Sequence, residues 1–200
     1  MIERVVLIAC GALAREIRAI TALHGWQHME LRCLPADLHL HPERIPDAVE
    51  AAVHAARPAR VFVVYADCGT GGRLADRCRA LGVDMVPGPH CYAFFDGVED
   101  FEARQQTEFR AFFLTDFLAR QFDAFVWRPM GLDRFPELRD VYFAHYDRLI
   151  YLAQTDDTEL EARAREAALR LKLPFERRMT GYGDLVPSLA AAASAQSTLK

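Results

Sequence analysis

The sequence predicts an α/β fold, a mostly parallel sheet with helices on both faces. Short apolar runs rich in Val and Ile recur along the chain, as expected for strands that are covered on both sides. The early runs alternate with helical stretches, which gives the β-α-β order of a parallel sheet. The first part of the chain also repeats itself, because Cys-Gly follows the first and third of these strands.

The first half of the chain is predicted to contain four strands and three helices. The apolar runs RVVLIA, MELRCL, RVFVVYA and VDMV are the strands, and the segments between them have helical patterns. The predicted strands cover residues 4–9, 29–34, 60–66 and 83–86, and the helices between them cover residues 12–23, 46–56 and 73–81.

Equal cysteine spacings indicate an internal duplication. Cys10 and Cys33 are separated by as many residues as Cys68 and Cys91, and an arginine follows at the same distance after Cys10 and Cys68. We therefore expect two β-α-β repeat units, residues 1–58 and 59–95, related by a pseudo-twofold axis.

The second half is predicted to begin with a helical insertion, residues 96–147. Aromatic residues at helical spacing indicate a buried core or a homodimer interface, with an apolar ligand lining as the less favoured interpretation. A closing β-α-β unit, residues 148–185, has a helix capped by Asp157 and completes a single domain, residues 1–190, before a flexible tail, residues 191–200. The aromatic stripe consists of Phe109, Phe112, Phe113, Phe117, Phe122, Phe125 and Val126.

Composition restricts the classes of function. The net charge of −4 and pI near 6.0 give no basic patch for nucleic acid. The sequence has no apolar stretch of the roughly 18 residues that a membrane helix needs, and its start lacks a signal-peptide core. We therefore expect a cytoplasmic protein whose five cysteines stay reduced, which favours metal binding or catalysis over disulfides.

Cysteines and histidines fall at the carboxyl ends of the predicted strands, where ligands bind in open parallel sheets. Thiolates and imidazoles together suit zinc, the preferred prediction, or an iron-sulfur cluster. No C-x-x-C pair occurs, so such a site must be assembled from distant loops. The predicted ligands are Cys10, Cys68 and Cys91, with His39 or Cys33 as the fourth and His90 as a further candidate.

The glycine-rich turn after the third strand is a candidate anion site. Backbone amides of Gly69, Thr70, Gly71 and Gly72 could hold an anion together with Arg15 and Arg73, although solvated helix arginines are the slightly favoured interpretation. The turn lacks the Gly-Lys-Ser/Thr ending of a phosphate-binding loop, which argues against nucleotide hydrolysis.

Four short motifs resemble a family of proteins of unknown function from methanogens and methylotrophic bacteria, whose genes often lie beside those of corrinoid-dependent methyltransferases. They are Cys10-Gly11, then L-P-x-x-L-H at 34–39, Y-x-x-C-G-x-G at 65–71 and P-x-x-H-C at 87–91. The resemblance implies a cytosolic protein that holds a metal or a thiolate-bound cofactor. It also implies service in one-carbon methyl transfer, with a corrinoid protein or a methyltransferase as partner.

A second resemblance is to aspartate and glutamate racemases. The turn at 67–72, DCGTGG, is similar to their D-S-G-x-G-G turn, and a cysteine lies beside a histidine in a late loop. That resemblance implies two facing thiols that remove and return a proton without a metal. Because cysteine replaces the serine of the turn and the late order is His-Cys, this interpretation ranks second.

Overall fold

The computed structural model describes residues 3–194, which divide into two compact units. Residues 3–94 and 184–194 form unit 1, and Phe95–Gly183 form unit 2. Within these residues all strands pair in parallel, four in unit 1 and three in unit 2. The α/β class predicted from the sequence is confirmed, and the strands form two sheets.

The described strands and helices follow one another along the chain as follows. The strands are β1 Val5–Cys10, β2 Met29–Leu34, β3 Arg60–Val64, β4 Asp84–Met85, β5 Ala111–Thr115, β6 Arg148–Ala153 and β7 Phe175–Met179. The helices are α1 Ala14–Leu23, α2 Ile45–Ala56, α3 Arg73–Leu81, α4 Cys91–Asp96, α5 Val98–Glu108, α6 Asp116–Arg120, α7 Leu138–Tyr142, α8 Thr158–Leu171 and α9 Leu185–Ser194.

The sheet of unit 1 has the order β2-β1-β3-β4. Every residue of β1 is buried, as its unbroken apolar run predicts. The β1-α1-β2 unit extends to one side of the sheet centre and β3-α3-β4 to the other, which is the arrangement that a pseudo-twofold axis between β1 and β3 produces. Right-handed crossovers place α1 on one face and α2 and α3 on the opposite face.

Helix α9 returns the chain to unit 1. The amide of Asp184 donates a hydrogen bond to the carbonyl of Phe94 at 2.7 Å, so the chain re-enters unit 1 next to the point where it left. The His28 ring meets the carbonyl of Ala193 at 3.3 Å. Residues 191–194, predicted as tail, are therefore the end of a helix, while residues 195–200 lie outside the described residues.

Unit 2 has the sheet order β5-β6-β7, and β5 corrects a sequence prediction. The segment AFFLT was assigned to an aromatic helix, but it pairs in parallel with β6. Phe109 precedes the strand and is 76% exposed, so it shares no buried stripe with Phe122, which lies in the core. The helical prediction failed because a short apolar run fits a buried strand as well as a helix.

The helix α8 that packs on this sheet begins as predicted. The Asp157 carboxylate accepts hydrogen bonds from the amides of Glu159 and Leu160 at 2.9 and 3.1 Å, which caps the first turn.

No helix within residues 3–194 is both long enough and apolar enough to cross a membrane.

Candidate thiol site at the switch point of unit 1

The site lies at the carboxyl ends of β1 and β3, the two central strands of unit 1. Cys10 is the last residue of β1, and Tyr65 directly follows β3. The chain turns to opposite sides of the sheet after these two strands, which opens a crevice at their ends. Side chains from both repeat units can therefore meet there.

Cys10 and His39 form a close pair. The Cys10 Sγ lies 3.0 Å from His39 Nε2, and the Ala12 amide donates to the same sulfur at 3.3 Å. Burial raises the pKa of the Cys10 thiol to about 11 and lowers the pKa of His39. At neutral pH the pair is therefore a thiol beside a neutral imidazole, whose Nε2 can accept the S–H proton.

The turn after β3 is held by Asp67. Its carboxylate accepts hydrogen bonds from the hydroxyl of Thr70 at 2.7 Å and from the amides of Gly71 and Gly72 at 3.0 and 2.6 Å. The anion that this glycine-rich turn binds in the structure is thus the chain's own side chain. Arg73 reinforces the turn, because its Nε donates to the carbonyl of Thr70 at 2.9 Å.

Cys68 occupies a strained position in this turn. Its φ of +50° lies in the left-handed region, which costs a residue with a Cβ on the order of 1 kcal/mol. The amides of Asp67 and Cys68 donate to the carbonyls of Gly88 and Pro89 at 3.0 and 2.9 Å. These bonds tie the turn to the loop that carries Cys91.

The thiols of Cys10, Cys68 and Cys91 are mutual electrostatic neighbours. Burial, with the nearby Cys10 as the second cause, raises the pKa of Cys68 to about 12. Burial also raises the pKa of Cys91 well above its ordinary value, with Cys68 and Cys10 adding to the effect. The backbone of Cys91 acts in the opposite direction and lowers the pKa of Cys68. The structure therefore brings together three cysteines predicted from the repeat, along with His39.

Tyr65 belongs to this cluster and was missed by sequence reasoning. Its side chain is 1% exposed, and its hydroxyl makes no hydrogen bond of ordinary geometry to any residue in 3–194. Burial, with the thiols of Cys10 and Cys68 close by, raises the pKa of Tyr65 far above its ordinary value. Its ring lies 6.2 Å from that of His39. A tyrosine at the end of an apolar strand, just before a cysteine, was the available signal.

The remaining predicted residues lie apart from this buried group. Cys33 is exposed and is paired in register with Ala9, so it points to the opposite face from Cys10, although its charge still affects the pKa of Cys10. His90 is exposed, and its charge helps to lower the pKa of Asp67. Arg15 is exposed on α1. An anion-binding role for Arg15 and Arg73 stays a prediction.

The thiols do not form a finished coordination shell. Among the described residues, no group of three or more His, Cys, Asp or Glu side chains has the arrangement of a metal site. The chemistry of the group nevertheless suits a soft or borderline metal, since it offers sulfur and imidazole donors and the buried Tyr65 hydroxyl beside the Cys10 sulfur. The sulfur and imidazole donors suit zinc, but the three thiols lie near one another without the arrangement of a coordination shell.

Unit 2 has its own buried polar cluster at the ends of β5 and β6, also missed from the sequence. The fully buried Asp116 carboxylate accepts hydrogen bonds from the Tyr151 hydroxyl at 2.7 Å, the Thr155 hydroxyl at 2.6 Å and the Gln154 amide at 3.1 Å. The Gln154 side chain in turn accepts from the Asp116 amide at 2.7 Å. Because both carboxylate oxygens are satisfied, this cluster fixes the strand ends in place.

Comparison with known families agrees with the motifs in the sequence. The family model described as "Protein of unknown function (DUF1638)" matches residues 33–189, most of the chain. The chain belongs to this family. The part matched to DUF1638 includes His39, Cys68 and Cys91 and begins after Cys10. Neither the curated proteins nor the solved structures gave a significant match.

Proposed function

We propose that unit 1 binds a metal ion, zinc in the first place, through Cys10, Cys68 and Cys91 with His39 as the fourth ligand. The observation that carries the proposal is the proximity of the buried Cys10 and the partly buried Cys68 and Cys91 at the switch point of the sheet, with the His39 imidazole 3.0 Å from the Cys10 sulfur. Cys33 is the alternative fourth ligand, although its exposure favours His39.

The raised thiol pKa values supply the electrostatic reason for a cation. Burial and the charges of neighbouring thiols oppose ionisation of Cys10 and Cys68, so each sulfur keeps its proton in the absence of a positive charge. A divalent cation reverses this balance, because it stabilises the thiolates and displaces their protons. The lowered pKa of His39 keeps its ring neutral, which is the form that binds metals.

Binding requires local adjustment, because the thiols are not yet arranged as a coordination shell. The segment that carries Cys68 is rich in glycine, and Gly69, Gly71 and Gly72 all have positive φ. Hydrogen bonds from the backbone of Asp67 and Cys68 to Gly88 and Pro89 join this segment to the loop of Cys91. Metal binding is therefore expected to order both loops together.

With all four side chains as ligands the zinc site would be closed and structural, whereas three of them would leave a position at which the metal could activate a bound group. The resemblance adds a setting for this chemistry, one-carbon methyl transfer with a corrinoid protein or a methyltransferase as partner in the cytoplasm. An iron-sulfur cluster on the same cysteines is the alternative cofactor. In each case the chain supplies buried sulfur donors and the hydroxyl of Tyr65.

Metal analysis with an absorption spectrum, on protein purified without oxygen, tests the proposal. We expect about one equivalent of zinc per chain, its loss in Cys68→Ser, and its retention in Cys78→Ala, a buried cysteine of α3 outside the group. Cys33→Ser and His39→Ala then identify the fourth ligand. Less than about half an equivalent of any metal in the unaltered protein would overturn the proposal.

A thiol-based proton-transfer enzyme is the second candidate, and the contact of 3.0 Å between Cys10 and His39 favours it. Such an enzyme would exchange the α-proton of a small amino acid without metal. Incorporation of solvent deuterium into an amino acid, abolished by Cys10→Ser and unaffected by a chelator, would select this candidate over the metal centre.

A further inference from the structure

An arginine-rich groove lies in unit 2, far in sequence from the thiols. It is formed by α6, the segment after α6 and α8, and has a volume of about 340 Å³. Since a water molecule occupies about 30 Å³ of liquid, the groove is larger than a single small ion. Its charged lining consists of Arg120, Arg128, Arg163, Arg170, Asp123 and Glu166.

One of these arginines is oriented by contacts with the protein, and a second is largely buried. The guanidinium of Arg170 lies 4.1 Å from the Trp127 ring centroid and donates to the Asp123 carboxylate at 2.7 Å. Arg120 is 17% exposed, and its nearest carboxylate, that of Asp116, is 3.7 Å away, beyond hydrogen-bond distance. Arg120 therefore makes no hydrogen bond to this carboxylate, and its N–H groups can bind a ligand.

The groove lining itself has four arginines and two carboxylates, while Asp116 and Glu159 outside the lining partly balance Arg120 and Arg163. Arg128 is exposed and has no ion pair within residues 3–194. Arg163 pairs with Glu159 on the outer turn of α8. A concave site with a local positive charge attracts anions even on an acidic protein.

The backbone at the groove has an unusual geometry. Asp123–Trp127 is a π-helical turn, in which the Arg128 amide donates to the carbonyl of Asp123 at 2.9 Å. Such turns interrupt regular helices and often occur at functional sites. The turn carries Asp123 and Trp127, the two residues that orient Arg170.

We propose that this groove binds the phosphate chain of a small ligand, a di- or triphosphate. Guanidinium groups match phosphate oxygens with paired hydrogen bonds, and several arginines around one groove suit a ligand with several phosphates. This site is independent of the thiol group in unit 1, and its test does not involve metal.

Calorimetric titration of the full chain with inorganic tripolyphosphate tests the proposal, with a dissociation constant below about 1 mM expected. Arg128→Gln and Arg163→Gln are each expected to weaken binding about tenfold. Arg165→Gln is the matched control, expected to change binding less than about twofold. Arg165 is also exposed on α8 and pairs with a glutamate four residues earlier, but it does not line the groove.

The outcome is decided by specificity as well as affinity. Absence of tripolyphosphate binding, or an equal loss in Arg165→Gln, would overturn the site, because general charge attraction would then explain the result. A nucleoside triphosphate that competes with tripolyphosphate supports recognition of the phosphate chain. Citrate, a carboxylate of similar charge, is expected to compete poorly, and equal binding of citrate would overturn the assignment to phosphate.

Discussion

Single side chains at the strand ends differ in how well their polar groups are satisfied, and two tyrosines show this difference most directly. Tyr65 and Tyr151 are both buried, but the Tyr65 hydroxyl lacks a regular partner, whereas that of Tyr151 donates to Asp116 at 2.7 Å. Tyr151→Phe is expected to reduce the free energy of unfolding by about 1.5–3 kcal/mol, because a buried carboxylate loses a donor. Tyr65→Phe is expected to change it by less than about 1 kcal/mol. Urea denaturation of both variants measures the contrast, and equal losses would contradict it.

Asp67 gives a pH-dependent prediction. Partial burial acts to raise its pKa, but hydrogen bonds from the turn outweigh burial and hold the pKa below its ordinary value. The carboxylate therefore stabilises the protein above the unfolded pKa of about 4, and this stability is lost as the pH falls through the lower folded pKa. Asp67→Ala is expected to cost about 1–2 kcal/mol at pH 7.

Urea denaturation across the acid range measures the effect of Asp67. The difference between the unaltered protein and Asp67→Ala is expected to shrink as the pH is lowered from 7 towards about 2. Asp76→Ala is the control, since this aspartate of α3 is exposed and makes a surface ion pair with Arg79, worth less than about 1 kcal/mol. A difference that stays constant with pH would contradict the role given to Asp67.

At the scale of elements, strand β5 decides which aromatic residues support unit 2. Phe122 is 5% exposed within the core, and Phe109, before the strand, is 76% exposed. Phe122→Ala is expected to reduce the free energy of unfolding by about 3–5 kcal/mol, and Phe109→Ala by less than about 0.5 kcal/mol. Thermal and urea denaturation compare the two. Similar costs would instead support the helical stripe that the sequence predicts.

Elements with a clear pattern were predictable from the sequence. β2 and α3 have the predicted bounds, 29–34 and 73–81, because apolar runs and a helix-ending Gly82 mark them. β5 was missed because Phe112 and Phe113 also satisfy helical spacing, and pairing with a strand distant in sequence overrides such local patterns. The number of sheets depends on which strands pair, and local sequence patterns do not determine that pairing.

The candidate site was predictable from the strand ends more than from the equal cysteine spacings. Cys10 is the last residue of β1, whereas Cys68 lies in the turn beyond the end of β3 at Val64, so the two do not occupy equivalent places. They are neighbours because β1 and β3 are adjacent parallel strands that end at the same edge of the sheet. The exposure of Cys33 depends on which face of β2 is covered. Alternation of side chains along a single strand does not tell which of its two faces is buried. Tyr65 was missed because its apolar ring suits a strand, and only the fold shows its hydroxyl close to the Cys10 thiol.

At the scale of the whole molecule, each unit has its own sheet, and the core of unit 2 comes from its own residues. A fragment spanning Phe95–Gly183 is therefore expected to fold alone, with a helix and strand signal in circular dichroism and a single unfolding transition. Tyr151→Phe in the fragment is expected to lower its stability as in the full chain. A fragment that shows only a random-coil spectrum would contradict the independence of unit 2.

The backbone hydrogen bond between Asp184 and Phe94 indicates how this protein could be shortened. Because the chain leaves unit 1 at Phe94 and re-enters it at the neighbouring Asp184, residues 95–183 form one continuous insertion between two adjacent backbone positions. A short glycine-serine tether could span that narrow gap, and the trimmed chain would keep Cys10, Cys68 and Cys91 on their original scaffold.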